Sequence, residues 1–176
     1  MRNSILLFLI IIFAILICPS NVRAQGMVVS SSAQIYTRTT SENNEIDFRV
    51  IRLKNFLSKH RSPLRDYSQE FIYHADANRL DWRLVAAISG VESTFGKRIP
   101  KGSYNAYGWA NGNFYFNSWE HSIEVVSETL RDKYYDRGAT NINKIARRYA
   151  PPSLSWAWKV KYFMNEIDNV PVEFDL

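Results

Sequence analysis

The 176-residue chain holds one cysteine, Cys18, and three histidines, His60, His74 and His121. A single cysteine excludes a disulfide framework within the chain. Cys18 also lies in an N-terminal segment that reads as removable, so thiol chemistry leaves with it. The histidines are far apart in sequence and sit in no familiar ligand motif. His121, beside Glu120 and Glu124, reads as a solvated helix start rather than a metal site, and neither a metal nor a cofactor is expected. Phosphate-loop and dinucleotide fingerprints are absent, and no Gly-x-Ser-x-Gly elbow supports a serine nucleophile. Lys97-Arg98 and Arg147-Arg148 are the only adjacent basic pairs after residue 44. There is no Lys/Arg stripe of the kind nucleic-acid binding needs, so nucleic acid is not an expected partner. No internal repeat is present. The unbroken apolar run Ile5 to Ile17 has thirteen residues, too few to span a bilayer comfortably as a permanent helix.

That run is preceded by Arg2 and followed by Val22-Arg23-Ala24, a small-x-small ending. The pattern predicts a secretory signal peptide over residues 1–24 and a secreted or cell-envelope location. An uncleaved N-terminal anchor is the alternative, and is the one way a membrane would be involved. Ile17 stands where a lipobox would want a small residue, which argues against lipidation at Cys18. The formal net charge is +5. Cleavage would remove Arg2 and Arg23 and no acid, leaving +3, a mild excess that suits an anionic partner such as a cell-wall polymer. Residues 25–44 are rich in Ser, Thr, Asn and Gln and read as a flexible linker. Residues 45–176 read as one domain, expected to be a monomer. Apolar residues make up 46% and aromatics 14% of the chain, enough for a packed core. Five Trp and ten Tyr are either large core side chains or ring platforms along a groove, a common device for binding sugars.

Apolar spacing in the domain is mostly helical. Ile46, Val50, Leu53 and Leu57 form one stripe. Ser62-Pro63 predicts the start of a second helix, with Leu64, Tyr67, Phe71 and Ala75 inward and a break at Asn78 to Leu80. Asp81 caps a third helix, whose Leu84-Val85-Ala86-Ala87-Ile88 run leaves no polar face, so it is expected to be central. Pro100 to Asn117 is rich in Gly, Asn and aromatics, and Asn111-Gly112 between aromatic runs predicts a β-hairpin flap. Ser118 caps a fourth helix with Ile123, Val126, Leu130 and Tyr134, stopped at Gly138. Thr140 caps a short fifth helix, and Ser153 or Ser155 opens a last one with Trp156, Val160, Phe163 and Ile167 inward. The expected fold is mainly α, with a small hairpin beside the end of the buried helix.

Glu92 stands near the end of that helix. A carboxyl there is either partly desolvated, with its pKa raised, or solvated at a frayed helix end and paired with Arg98. In the first case it can hold a proton and give it to a leaving oxygen, the task of a general acid in glycoside cleavage. The flap offers Tyr107 and Trp109 around Gly108, on one face if the segment alternates as a strand, with Asn105 and Ser103 as polar groups. These are either sugar-binding groups or core packing.

The segments "VESTFGK", "NAYGW", "FNSWEHSI" and "RYAPPSLSWAWKV", taken in that order, resemble the bacterial endo-N-acetylglucosaminidases of glycoside hydrolase family 73. More loosely they resemble the lytic transglycosylases of the lysozyme-like superfamily. The resemblance runs from about Leu84 to Val160. It implies a lysozyme-like catalytic domain acting on peptidoglycan glycan strands, with Glu92 as the catalytic acid. It also implies that Asn105, Tyr107, Gly108 and Trp109 line the groove and that Tyr149 lies near the chemistry. One departure is a short connection, Ala110 to Asn117, that holds no acid where the family often carries a second carboxylate. Glu120 and Glu124 are the nearest substitutes. If no second acid acts, the substrate's own 2-acetamido group would have to stabilise the transition state, or the protein is a glycan-binding module that has lost the chemistry.

Overall fold

The structure is a computed structural model that describes residues 47–172. The expected leader, the linker and Ile46 lie outside the described residues. Six α-helices are present among the described residues: α1 Phe48–Lys59, α2 Ser68–Ala77, α3 Leu84–Ser93, α4 Trp119–Thr129, α5 Ile142–Tyr149 and α6 Trp156–Asp168. Short 3₁₀ turns occupy Arg65–Tyr67 and Trp109–Gly112, and a π-helical turn, Leu130–Tyr135, continues α4. The mainly-α expectation holds.

Helix α3 is buried from Leu84 through Gly90, and again at Ser93. It packs chiefly against α6 and also touches α2 and α4, as a helix apolar on all sides must. Burial of its large apolar side chains contributes roughly 1.5–3 kcal/mol each relative to leaving them in water. Gly90 sits in the middle of this helix because there is no room for more. A Cβ there would lie 2.5 Å from Cε1 of Phe95 and 3.0 Å from Cδ2 of Phe163. The Phe95 ring in turn packs on Phe56, His60 and Phe163, with centroids 5.3, 4.6 and 4.9 Å away.

Phe95 reaches back to Gly90 because the chain reverses sharply after α3. Thr94, Phe95 and Gly96 are all left-handed, with φ of 55°, 59° and 76°. For the two non-glycine residues this conformation costs roughly 1–2 kcal/mol each. It persists because several hydrogen bonds over-determine it. The amide of Phe95 donates to the Ser89 carbonyl (3.0 Å) and that of Arg98 to the Ser93 carbonyl (2.9 Å). The Ser93 hydroxyl accepts from Gly96 N (2.8 Å) and donates to the Ala106 carbonyl (2.8 Å), with the Ser89 carbonyl as a second acceptor at 3.0 Å. The Ser62 hydroxyl donates to the Phe95 carbonyl at 2.9 Å.

Three expected helix starts are shifted. Asp81 accepts from Arg83 N at 3.0 Å, but α3 itself begins at Leu84 with Arg83 at its cap. Ser62 does act as a cap, accepting from Leu64 N at 3.0 Å, but it opens only a turn and a 3₁₀ segment, and α2 begins at Ser68. The fifth helix is capped by Asn141 rather than Thr140. Its side chain accepts from Lys144 N at 3.0 Å, which an amide oxygen does well at this position. Ser118 caps α4 as expected, accepting from His121 N at 3.2 Å.

The hairpin flap does not form, and among the described residues there is no strand. Asn111 and Gly112 take the positive φ values their sequence favours, 53° and 87°, but Ala110 is left-handed as well, and the flanks form no ladder. The cross-loop partners that a ladder would supply come instead from one buried side chain. The Asn105 amide donates to the carbonyls of Trp109 (2.9 Å) and Phe114 (3.0 Å), and its oxygen accepts from Trp109 N (3.1 Å) and Tyr107 N (3.4 Å). The loop is thus gathered around Asn105 and closed by two backbone bonds, from Phe116 N to the Ser103 carbonyl at 2.9 Å and from Phe114 N to the Trp109 carbonyl at 3.4 Å.

Candidate active site

The C-terminal end of α3, the Asn105 loop, the π-helical turn and the end of α5 meet around a cavity of about 400 Å³. Its walls are Glu92, Tyr107, Gly108, Trp109, Ala110, Asn111, Tyr134, Tyr149 and Ala150. Glu92 is the one acid among them. It is half-buried, and burial pushes its carboxyl above the usual range, while a hydrogen bond from Trp156 pulls the other way. That bond is short, from Trp156 Nε1 to Glu92 Oε1 at 2.6 Å. Arg98, its partner in the alternative reading of a solvated helix end, is exposed and makes no ion pair with Glu92.

Gly108 presses on the other carboxyl oxygen. A Cβ at this position would lie 2.8 Å from Glu92 Oε2, and φ is 71°. A residue without a side chain is therefore needed here on two counts, close approach and backbone conformation. Trp109 stands in the cavity wall and is braced from behind by Phe114 and Phe116, at 5.8 and 5.4 Å between ring centroids.

Tyr149 is beside Glu92, but its hydroxyl is engaged, donating to the Tyr107 carbonyl at 2.7 Å. Its ring stacks on Trp156 with centroids 5.1 Å apart and planes 26° from parallel. Burial, together with the nearby Glu92 carboxylate, pushes the Tyr149 phenol well above its ordinary value, so it stays protonated.

Three residues expected to face a ligand point elsewhere. Ser103 and Asn105 are 0% and 2% exposed. They shape the loop from inside, so their hydrogen-bonding groups are spent on the chain itself. Tyr107 is also 0% exposed, because the segment does not alternate as a strand would. Its ring packs into the core near Phe116. Glu120 and Glu124 are exposed on α4 and do not line the cavity. Trp156, Tyr134, Asn111 and Ala150 were not anticipated as site residues. Trp156 lies 64 residues from Glu92 in sequence, and on periodicity alone it reads only as a core position of α6. Tyr134 reaches the cavity through the π-helical turn, a local widening that often marks functional positions and that no sequence pattern announces.

No family model, curated protein or solved structure matches the chain. Among the described residues no His, Cys, Asp and Glu side chains gather in a way that could hold a metal ion.

Proposed function

We propose that the chain is a glycosidase that cuts the glycan strand of peptidoglycan, with Glu92 as its general acid. The observation that carries this reading is a half-buried, upward-shifted carboxyl at the end of the central helix. It faces a cleft of about 400 Å³ walled by Trp109, Tyr134 and Tyr149. The volume lies within the range of small-molecule sites, and the aromatic walls suit the apolar faces of sugar rings. A helical domain whose central helix ends in the acid also fits the lysozyme-like superfamily that the four sequence motifs resemble. The leader-like N-terminus fits action outside the cytoplasm.

In this reading the Glu92 carboxyl gives its proton to the bridging oxygen, the glycosidic C–O bond breaks, and the leaving sugar departs as an alcohol. Glu92 remains as a carboxylate. With no other acid in the cleft wall, the positive charge at the anomeric carbon falls to the substrate's own 2-acetamido carbonyl, a known exception to the two-carboxylate rule. Glu92 then takes a proton from the incoming nucleophile. A water gives the hydrolytic product of a glucosaminidase, and the 6-hydroxyl of a muramic residue gives the anhydro product of a lytic transglycosylase.

The single acid also supports a second reading, a module that binds glycan without cutting it. Purified peptidoglycan incubated with the protein and analysed by mass spectrometry separates the two. New reducing ends or anhydro-sugars are expected, and they should disappear in Glu92→Gln. Binding with neither product, or wild-type solubilisation by the Gln variant, overturns the assignment of Glu92.

A further inference from the structure

We infer that Trp156 is the positioning residue for the Glu92 acid: its indole N–H fixes which carboxyl oxygen carries the proton and strengthens its hold as that proton leaves. The inference rests on the proposed role of Glu92. It begins from a donor that has no alternative chemistry. Indole Nε1–H can only donate, so the oxygen it meets at 2.6 Å, Oε1, must be an acceptor in every protonation state. The carbonyl oxygen of a neutral acid is the better acceptor, so the indole favours the tautomer with the proton on Oε2. That oxygen lies against Gly108, where the missing side chain leaves open space and a Cβ would come within 2.8 Å. The indole at residue 156 thus engages Oε1, and the bare backbone at residue 108 leaves room for Oε2.

The indole cannot easily turn away. Trp156 is 3% exposed and opens α6, where its amide donates to the Ser153 hydroxyl at 3.2 Å. Its ring is stacked on Tyr149, which is itself tied by its hydroxyl to the Tyr107 carbonyl at 2.7 Å. The backbone of the loop, α5 and α6 are linked in this way to one carboxyl oxygen. Tyr149 belongs to this framework as a brace, since its own proton is already committed.

A hydrogen bond to a carboxylate is about twice as strong as one to a neutral acid. The Trp156 bond therefore gains as the proton on Oε2 passes to the bridging oxygen and charge appears on the carboxyl. An interaction stronger after proton transfer than before raises turnover rather than substrate binding. The other titratable side chains at the cleft are those of Tyr134 and Tyr149, the Tyr107 phenol being buried in the core; α2, α4 and α6 contribute none to its wall.

The test is a Glu92 carboxyl titration by carbon NMR, together with kinetics on soluble glycan fragments. It uses wild type, Trp156→Phe, and a protein carrying benzothienylalanine at position 156. The last replaces the N–H with sulfur at nearly constant shape, and so decides the matter if the Phe variant does not fold. Loss of the donor should move the Glu92 titration to higher pH and carry the basic limb of the activity profile with it. It should lower kcat by about tenfold with KM unchanged. An unchanged titration midpoint in the folded benzothienylalanine protein overturns the inference. The titration reads Trp156 even if the protein cuts nothing, whereas an active Glu92→Gln variant would overturn the cleavage reading alone.

Discussion

Replacing Gly108 by Ala puts a methyl group against the acid, and the structure allows the consequence to be worked through. Residue 108 has φ of 71°, which costs an L-residue roughly 1–2 kcal/mol. The added Cβ would also stand 2.8 Å from Glu92 Oε2, too close for either to stay where it is. If the carboxyl swings aside, it breaks the 2.6 Å bond from Trp156, a hydrogen bond of a class that contributes about 1.5–3 kcal/mol when one partner is charged. If the loop moves instead, it must pull on the four hydrogen bonds around Asn105. The expected loss for Gly108→Ala is therefore about 2.5–5 kcal/mol. Gly138→Ala is the matched control: its φ is 83° and nothing lies within 4 Å of the added Cβ, so it should lose only the backbone share, about 1–2 kcal/mol. Thermal and urea unfolding of the two variants side by side isolates the contact with the carboxyl. Wall-solubilising activity should fall at least tenfold in Gly108→Ala and stay near wild type in Gly138→Ala. Equal destabilisation with undiminished turnover in both would refute the placement of Glu92 against residue 108.

Three further outcomes are expected. Glu92→Gln should abolish cleavage yet fold well. Burial raises the Glu92 carboxyl above 4.5, so the native state favours the proton more than the unfolded chain does. That advantage is full below pH 4.5 and is lost as pH rises through the folded value, so the melting temperature of Glu92→Gln should gain on wild type as pH rises above 4.5. Gly90→Ala should destabilise by about 1–3 kcal/mol despite alanine's better helix propensity, because its Cβ overlaps the Phe95 ring and overpacking outweighs propensity; a more stable variant in urea would contradict that contact. Asn105→Ala should cost about 2–4 kcal/mol by leaving loop carbonyls and amides without partners, seen as a lower urea midpoint and faster exchange of the Trp109 amide.

What could be read from the sequence was what is decided locally. The buried helix, the acid at its end and the Ser118 cap depend on neighbours within a few residues, and their burial was visible as an apolar run or a stripe of fixed period. The Asn-Gly pair did signal its turn, and both residues adopt the positive φ it calls for. Pairing of the flanks is a non-local matter, and the Asn105 amide won that competition by satisfying the Trp109 and Phe114 carbonyls itself. Once the segment was not a strand, alternation no longer told which of Tyr107 and Trp109 faced outward. The other half of the cleft was illegible for the same reason. Nothing near Trp156 in sequence reveals that its N–H will meet a carboxyl on another helix, and Tyr134 reaches the wall only because α4 widens into a π-helical turn.

The stacking of Tyr149 on Trp156 has a bearing on when the acid acquires its character. Synthesis runs from the N-terminus, so α3 leaves the ribosome well before the segment that opens α6. Until that helix docks, Glu92 has no indole partner and α3 lacks its principal neighbour. A chain clipped after residue 150 would lack both Trp156 and the helix against which α3 chiefly packs. The hydrogen-bond environment of Glu92 thus depends on a helix 64 residues further along the chain.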